Sequence, residues 1–343
     1  MVSQPRESVG LPPPGSGWDL LSPEVLQAAT EKLPEATGRR ATQPWAIVEV
    51  DHRRKSTVLR LATVDEAGET VSVFYKIAGT GASDRVIPVS PSAQGLALKR
   101  LIPLTEIFNR LTAGSNISAA PILAVDRSTK ATVTLSVSGR PMTSFLGGVR
   151  PTRSLHLGRT LFLLGRACRK LEDSNEQWPE QPEPAVEAAV AFIIDRFGDP
   201  LEQIPGGHSQ LLGLAEEVVS RDGATIFGHG DLFGSNVLVE GPRVNLIDFG
   251  LAPQLKMHDL SYIAFRTAGH TRLTTRRRRH LISKLLEGYG LSDLEEDPGW
   301  RLARALMVLR HLGRARSRSR AVLAGTTDQL AMLLEERDPW LTV

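Results

Sequence analysis

The sequence predicts an α+β chain in two parts, an antiparallel β-sheet domain followed by a mainly helical one. Three observations carry this. Between Trp45 and Val137, five runs rich in β-branched residues are interrupted by a single helical pattern. Beyond Gly139, apolar residues recur at spacings of three and four, as in Leu302, Ala305, Leu306, Leu309 and Leu312. One irregular stretch around residue 230 breaks that helical character and concentrates Gly, Asp and Asn.

Residues 1–42 form an N-terminal extension, with a Pro-, Gly- and Ser-rich start to about residue 17 that predicts disorder. Ser22-Pro23-Glu24 then opens a short helix, Ser22 capping free N–H groups and Pro23 suiting the first helical position. That helix should run to about Lys32 and be broken by Pro34 and Gly38-Arg39-Arg40. Residues 43–138 form the sheet domain. Its strands are Trp45–Val50, Thr57–Val64 and Val71–Ile77, then a helix over Ala97–Leu111, then Pro121–Val125 and Ala131–Val137. Residues 139–343 form the helical domain, with helices over Leu155–Glu172, Pro184–Phe197, Gln210–Arg221, Arg276–Tyr289 and Trp300–Arg320.

The composition is that of an ordinary globular protein, 41% hydrophobic and 23% charged in 343 residues. No apolar run approaches the roughly 20 residues that cross a bilayer, and the N-terminus lacks a secretory layout, so a cytoplasmic location is expected. Cys168 is the single cysteine, which excludes an intramolecular disulfide. The net charge is +3, but from Leu260 to Val343 there are 15 Lys and Arg against 9 Asp and Glu. The densest point, Arg276–Arg279, reads as a solvated helix start, an anion site, or a contact for an acidic partner or membrane surface.

The chemistry concentrates in Phe227-Gly228-His229-Gly230-Asp231-Leu232-Phe233-Gly234-Ser235-Asn236, and in Val244-Asn245-Leu246-Ile247-Asp248-Phe249-Gly250. A loop, an apolar strand, a turn at Gly241-Pro242 and a second apolar strand can hold Asp231, Asn236 and Asp248 around one point. That set suits phosphoryl transfer from ATP, where positioning and charge neutralisation dominate. Asp231 can accept the proton of an attacking hydroxyl, while Asn236 and Asp248 offer the oxygen ligands that Mg2+ takes. Lys76, on a strand of the sheet domain, can grip the α- and β-phosphates, and Glu106 on the following helix can orient it. His229 reads as a brace for the loop rather than a proton shuttle.

His229-Gly230-Asp231, Asn236 five residues after the Asp, and Asp248-Phe249-Gly250 together resemble the catalytic loop and metal motif of the aminoglycoside phosphotransferase and choline kinase group. These small-molecule kinases share a two-lobed, protein-kinase-like fold. Asp259-Leu260 and Glu287-Gly288-Tyr289 resemble further features of its helical lobe, and the resemblance spans about residues 43–290. It implies Asp231 as base, Asn236 and Asp248 as magnesium ligands, and Lys76 with Glu106 as the phosphate-gripping pair. Adenine is expected to pair with backbone near Ser136–Ser138.

Two departures stand out. The turn Asp51-His52-Arg53-Arg54-Lys55-Ser56 has no glycine, and Leu135 stands where the group often has an acid. The absence of an Ala-Pro-Glu-like segment argues against an ordinary protein kinase. The acceptor is then a small-molecule hydroxyl. Cationic aminoglycosides are disfavoured by the basic region of Arg276–Arg279, Arg301, Arg304, Arg310, Arg314 and Arg318. A neutral or anionic acceptor is preferred, such as a sugar, a sugar phosphate, or an anionic glycan or lipid precursor. The alternative is a pseudokinase serving as a nucleotide-binding or scaffolding module. Nucleic-acid binding is disfavoured by the scarcity of aromatic residues near the arginines.

Overall fold

The computed structural model describes residues 20–53, 56–78, 91–126, 129–146, 151–178, 186–221, 225–249, 252–269, 273–291, 297–314 and 320–334. Along the chain run helix α1 (Pro23–Thr37), strands β1 (Ala46–Arg53), β2 (Ser56–Val64) and β3 (Thr70–Ala78), and helix α2 (Pro91–Leu111). Next come strands β4 (Ile117–Ala119), β5 (Ile122–Asp126), β6 (Ala131–Leu135) and β7 (Arg140–Pro141), then helices α3 (Thr143–Leu146), α4 (Pro151–Glu176), α5 (Val186–Phe197) and α6 (Gly207–Ser220). Strands β8 (Thr225–Gly228), β9 (Val237–Glu240), β10 (Arg243–Leu246) and β11 (Ala252–Leu255) precede helices α7 (His258–Ala268), α8 (Thr275–Tyr289), α9 (Pro298–Arg314) and α10 (Arg320–Leu334). The Pro-, Gly- and Ser-rich start, residues 1–17, lies outside the described residues.

The chain divides into two compact units, Met1–Ser83 with Ala120–Val137, and Asp84–Ala119 with Ser138–Val343. The first is built on a five-stranded antiparallel sheet in the order β1-β2-β3-β6-β5. Alternation along the strands puts Leu59, Leu61, Val73, Tyr75 and Val133 in its core, while Phe74 faces outward. Helix α1 joins this core through Ala29 and Leu33, and Trp45 Nε1 donates to Thr30 Oγ1 at 2.8 Å. The helix does not stop at Lys32 but continues through Pro34 to Thr37. Burial of its apolar face against the sheet outweighs the roughly 3 kcal/mol that an interior proline costs. Gly38, at φ 70°, ends it, its N–H donating to the Pro34 carbonyl at 2.8 Å.

The second unit holds the helices, a four-stranded sheet in the order β4-β10-β9-β7, and the β8–β11 pair. Strand β10 runs antiparallel to β9 and parallel to β4. Helices α4 and α8 touch backbone to backbone: a Cβ on Gly288 would sit 1.9 Å from the Phe162 carbonyl, and one on Gly165 1.8 Å from that of Leu285. Only glycine permits that approach. Beside this crossing the buried Glu172 of α4 accepts from the Tyr289 hydroxyl and from the Met257 N–H at 2.9 Å. It therefore ties α4, α8 and the start of α7 together.

The long helix expected over Trp300–Arg320 is a correction. Helix α9 ends at Arg314, and α10 begins at Arg320. Residues 302–309 of α9 are buried on every side, because α5, α6, α7 and α10 all pack against this helix. Arg304 is therefore not part of a basic surface. It is 1% exposed, with its guanidinium 5.3 Å from the Trp300 ring centre. Arg318 and the side chain of Arg314 lie outside the described residues. No helix among the described residues is long and apolar enough to cross a membrane.

Candidate active site

Strand β8 delivers the chain to the segment around residue 230, and three contacts fix its path. Asn175 of α4 pairs with the backbone of Phe227, accepting from its N–H at 2.7 Å and donating to its carbonyl at 3.1 Å. The buried Asp259 at the start of α7 accepts from the N–H groups of His229 (2.6 Å) and Gly230 (2.9 Å) and from Gln254 Nε2 (2.7 Å). Gly228 lies so close to this knot that a Cβ there would meet Gln254 Nε2 at 1.5 Å. The chain then turns outward, and Asp231 is exposed.

Asn236 sits at the end of a single 3-10 turn, Gly234–Asn236, and is buried. Its Nδ2 donates to the Asp231 backbone carbonyl at 2.9 Å and to Asp231 Oδ2 at 3.2 Å. Its backbone carbonyl accepts from the Ile247 N–H at 3.0 Å, and the Ile247 carbonyl pairs with His229 Nε2 at 2.8 Å. Ile247 thus links the loop to its neighbour Asp248. Asp248 is exposed and has φ 62°, a left-handed conformation that Asp and Asn adopt more readily than other side chains. Asp231 and Asn236 are thus in direct contact, and Asp248 follows the residue whose N–H bonds the Asn236 carbonyl.

Phe249 anchors the end of this strand, 4.7 Å from the His229 ring and 5.9 Å edge-to-face from Phe108 of α2. Glu106 lies two residues before Phe108 on the same helix and is exposed. Gly250 lies outside the described residues. In the first unit, Lys76 occupies the middle of β3, opposite Val58 of β2 and Thr132 of β6. The Ser136 N–H donates to the Ser72 carbonyl at 2.9 Å. In the second unit the Ser138 carbonyl accepts from Asn245 Nδ2 at 2.9 Å. Backbone pairing to a purine near 136–138 would use the other groups of that stretch.

The donor set suits a magnesium ion. Asn236 Nδ2 is committed to Asp231, so its Oδ1, 3.4 Å from the Ser235 hydroxyl, is the oxygen that can face a cation. With the Asp248 carboxylate it would offer two hard ligands, and phosphate oxygens and water customarily complete a magnesium shell. Among the described residues there is no group of three or more His, Cys, Asp or Glu that could hold a metal by itself.

Sequence reasoning passed over Tyr262 and Arg266 of α7. The Tyr262 hydroxyl donates to Asp231 Oδ1 at 2.9 Å. The Arg266 guanidinium lies 6.0 Å from the Tyr262 ring centre and 5.4 Å from that of Phe233. The signal was available in part, since Asp259, Tyr262 and Arg266 fall at helical spacings of three and four.

No protein-family model matches the chain, and no curated protein does. Solved structures do match. Macrolide 2'-phosphotransferase MphH from Brachybacterium faecium is 15% identical, with 91% of this chain and 98% of that one covered and a TM-score of 0.40. A thermostable mutant of aminoglycoside phosphotransferase APH(4)-Ia, in a ternary complex with AMP-PNP and hygromycin B, is 12% identical, with 90% and 98% covered and a TM-score of 0.44. A putative aminoglycoside phosphotransferase from Ralstonia eutropha is 14% identical, with 90% and 96% covered and a TM-score of 0.42. Identities this low bear on fold alone, and TM-scores this low leave the argument to the chain's own architecture. That architecture is an antiparallel five-stranded unit and a helical unit carrying the Asp231–Asn236–Asp248 hairpin. The fold is α+β.

Proposed function

We propose that this protein is an ATP- and magnesium-dependent phosphotransferase acting on a hydroxyl of a small molecule. The carrying observation is the double duty of Asn236. Its amide nitrogen holds Asp231, and in this reading its amide oxygen serves the same metal as Asp248. Asp231 accepts the proton of the acceptor hydroxyl as that oxygen bonds to the γ-phosphorus and the bond to the ADP oxygen breaks. Magnesium, held by Asn236 and Asp248, neutralises charge on the phosphates when bound. Lys76 binds the α- and β-phosphates, and Glu106 orients it.

For the acceptor we favour a neutral or anionic compound, such as a sugar or an anionic glycan or lipid precursor. The support is the exposed Arg266 beside the aromatic partner of Asp231, together with the Arg276–Arg279 run at the start of α8. The test is turnover of Mg-ATP by purified protein against neutral, anionic and cationic hydroxyl compounds, with Asp231→Asn alongside. Transfer to at least one compound, lost by a factor on the order of 100 or more in Asp231→Asn with Mg-ATP affinity retained, is expected. Tight Mg-ATP binding without transfer to any compound would instead make the protein a nucleotide-binding module.

A further inference from the structure

Helix α7 reaches the 230 segment twice. One contact is through Asp259, which fixes the backbone of His229 and Gly230. Three residues later, on the same side of the helix, Tyr262 reaches the side chain of the very next residue, Asp231. The two carboxylate oxygens of Asp231 are then held from different elements. Tyr262 donates to Oδ1 at 2.9 Å, and Asn236 donates to Oδ2 at 3.2 Å. A carboxylate oxygen has two acceptor sites, so each keeps one for an incoming hydroxyl.

The Tyr262 ring is itself braced. Phe233 meets it edge-to-face at 6.5 Å and 79°, and the Arg266 guanidinium lies across both rings. Burial, and next the negative charge of Asp231, push the Tyr262 phenol up to about 12. The phenol therefore remains a proton donor at neutral pH.

We propose that Tyr262 is a positioning residue for phosphoryl transfer: its hydroxyl fixes the Asp231 carboxylate so that one oxygen faces the acceptor hydroxyl. This rests on the reading of Asp231 as general base. An exposed aspartate with no such partner rotates about two torsions. Pinning both oxygens removes those alternatives before the acceptor arrives, and small misplacements of a catalytic group are costly.

The experiment uses the full chain and compares wild type, Tyr262→Phe, Asp231→Asn and the double variant. Mg-ATP turnover is read with the best acceptor of the panel, or as slow hydrolysis without one, together with Mg-ATP affinity and melting temperature. Tyr262→Phe deletes one oxygen and keeps the ring in place. The expected result is a fall in kcat on the order of 10-fold, with unchanged Mg-ATP affinity and melting temperature. In the Asp231→Asn background the same change should have no further effect, because the carboxylate it serves is gone.

Three results overturn the proposal: an unaltered kcat in Tyr262→Phe, an equal fall that persists without the Asp231 carboxylate, or a faster Tyr262→Phe. The last would mean that the phenol occupies the acceptor's place. Wild-type turnover in Asp231→Asn would instead refute the role of Asp231 itself, and the inference with it. The two failures are thus told apart.

Discussion

The carboxylate of Asp259 accepts the backbone N–H of His229 at 2.6 Å across 30 residues of sequence. With the Gly230 N–H and Gln254 Nε2 it serves three donors from a site only 4% exposed. Asp259 thus holds two successive N–H groups of the loop that presents Asp231.

Replacing that side chain gives the first prediction. Asp259→Asn offers one accepting oxygen and turns an amide N–H2 toward donors, leaving at least one buried N–H unpaired. Such a loss costs about 1–3 kcal/mol per group. The variant should show a lower midpoint in urea and a larger loss of turnover than its loss of stability explains, since the loop loses its register. A folded Asp259→Asn with wild-type turnover would contradict this.

The second prediction separates metal from phosphate binding. Asn adopts the left-handed backbone of residue 248 nearly as readily as Asp, so Asp248→Asn removes charge without adding strain. It should fold normally and lose magnesium-dependent turnover. Lys76→Met keeps an apolar stem in the centre of β3 and deletes the ammonium. It should leave the protein folded while weakening Mg-ATP binding, measured by titration. Unchanged Mg-ATP turnover in both variants would refute the assignments.

The sheet and the hairpin were legible because their signals are local. Alternating runs around Leu59, Leu61, Val73 and Tyr75 give the five-stranded sheet its register, and Asp231, Asn236 and Asp248 lie on one loop and hairpin. What stayed hidden depends on distant partners. The parallel pairing of β4 with β10 joins Ile117 to Val244, which no local pattern announces. Arg304 looked like surface charge because a period of 3.6 assumes that one helix face meets water, whereas α9 is enclosed by four helices. Pro34 looked like a stop because propensity ignores what Ala29 and Leu33 gain against the sheet. The Tyr262–Asp231 contact needs the helix after the hairpin to fold back over it.

The last prediction concerns pH. Burial is the main cause that pushes Glu172 up to about 7, from an ordinary 4.5, against the hydrogen bonds of Tyr289 and Met257 that favour its charge. The folded state therefore holds a proton that the unfolded state releases between pH 4.5 and 7. Stability from this group is full below about pH 4.5 and falls as pH rises to 7, by about 3 kcal/mol. The adjacent layer does the opposite. Burial pushes His258 down to about 4 from 6.5, so its contribution is full above pH 6.5 and falls as pH drops toward 4. Between pH 4.5 and 6.5 the two slopes oppose each other. Glu172→Gln keeps an oxygen for Tyr289 and Met257 but cannot ionise, so only the His258 slope remains. Relative to wild type, the variant should gain stability steadily from pH 4.5 to 7 and hold that gain above 7. Urea unfolding at pH 5, 6, 7 and 8 measures this difference directly. A constant difference over that range would show that Glu172 does not titrate within the fold as its burial requires.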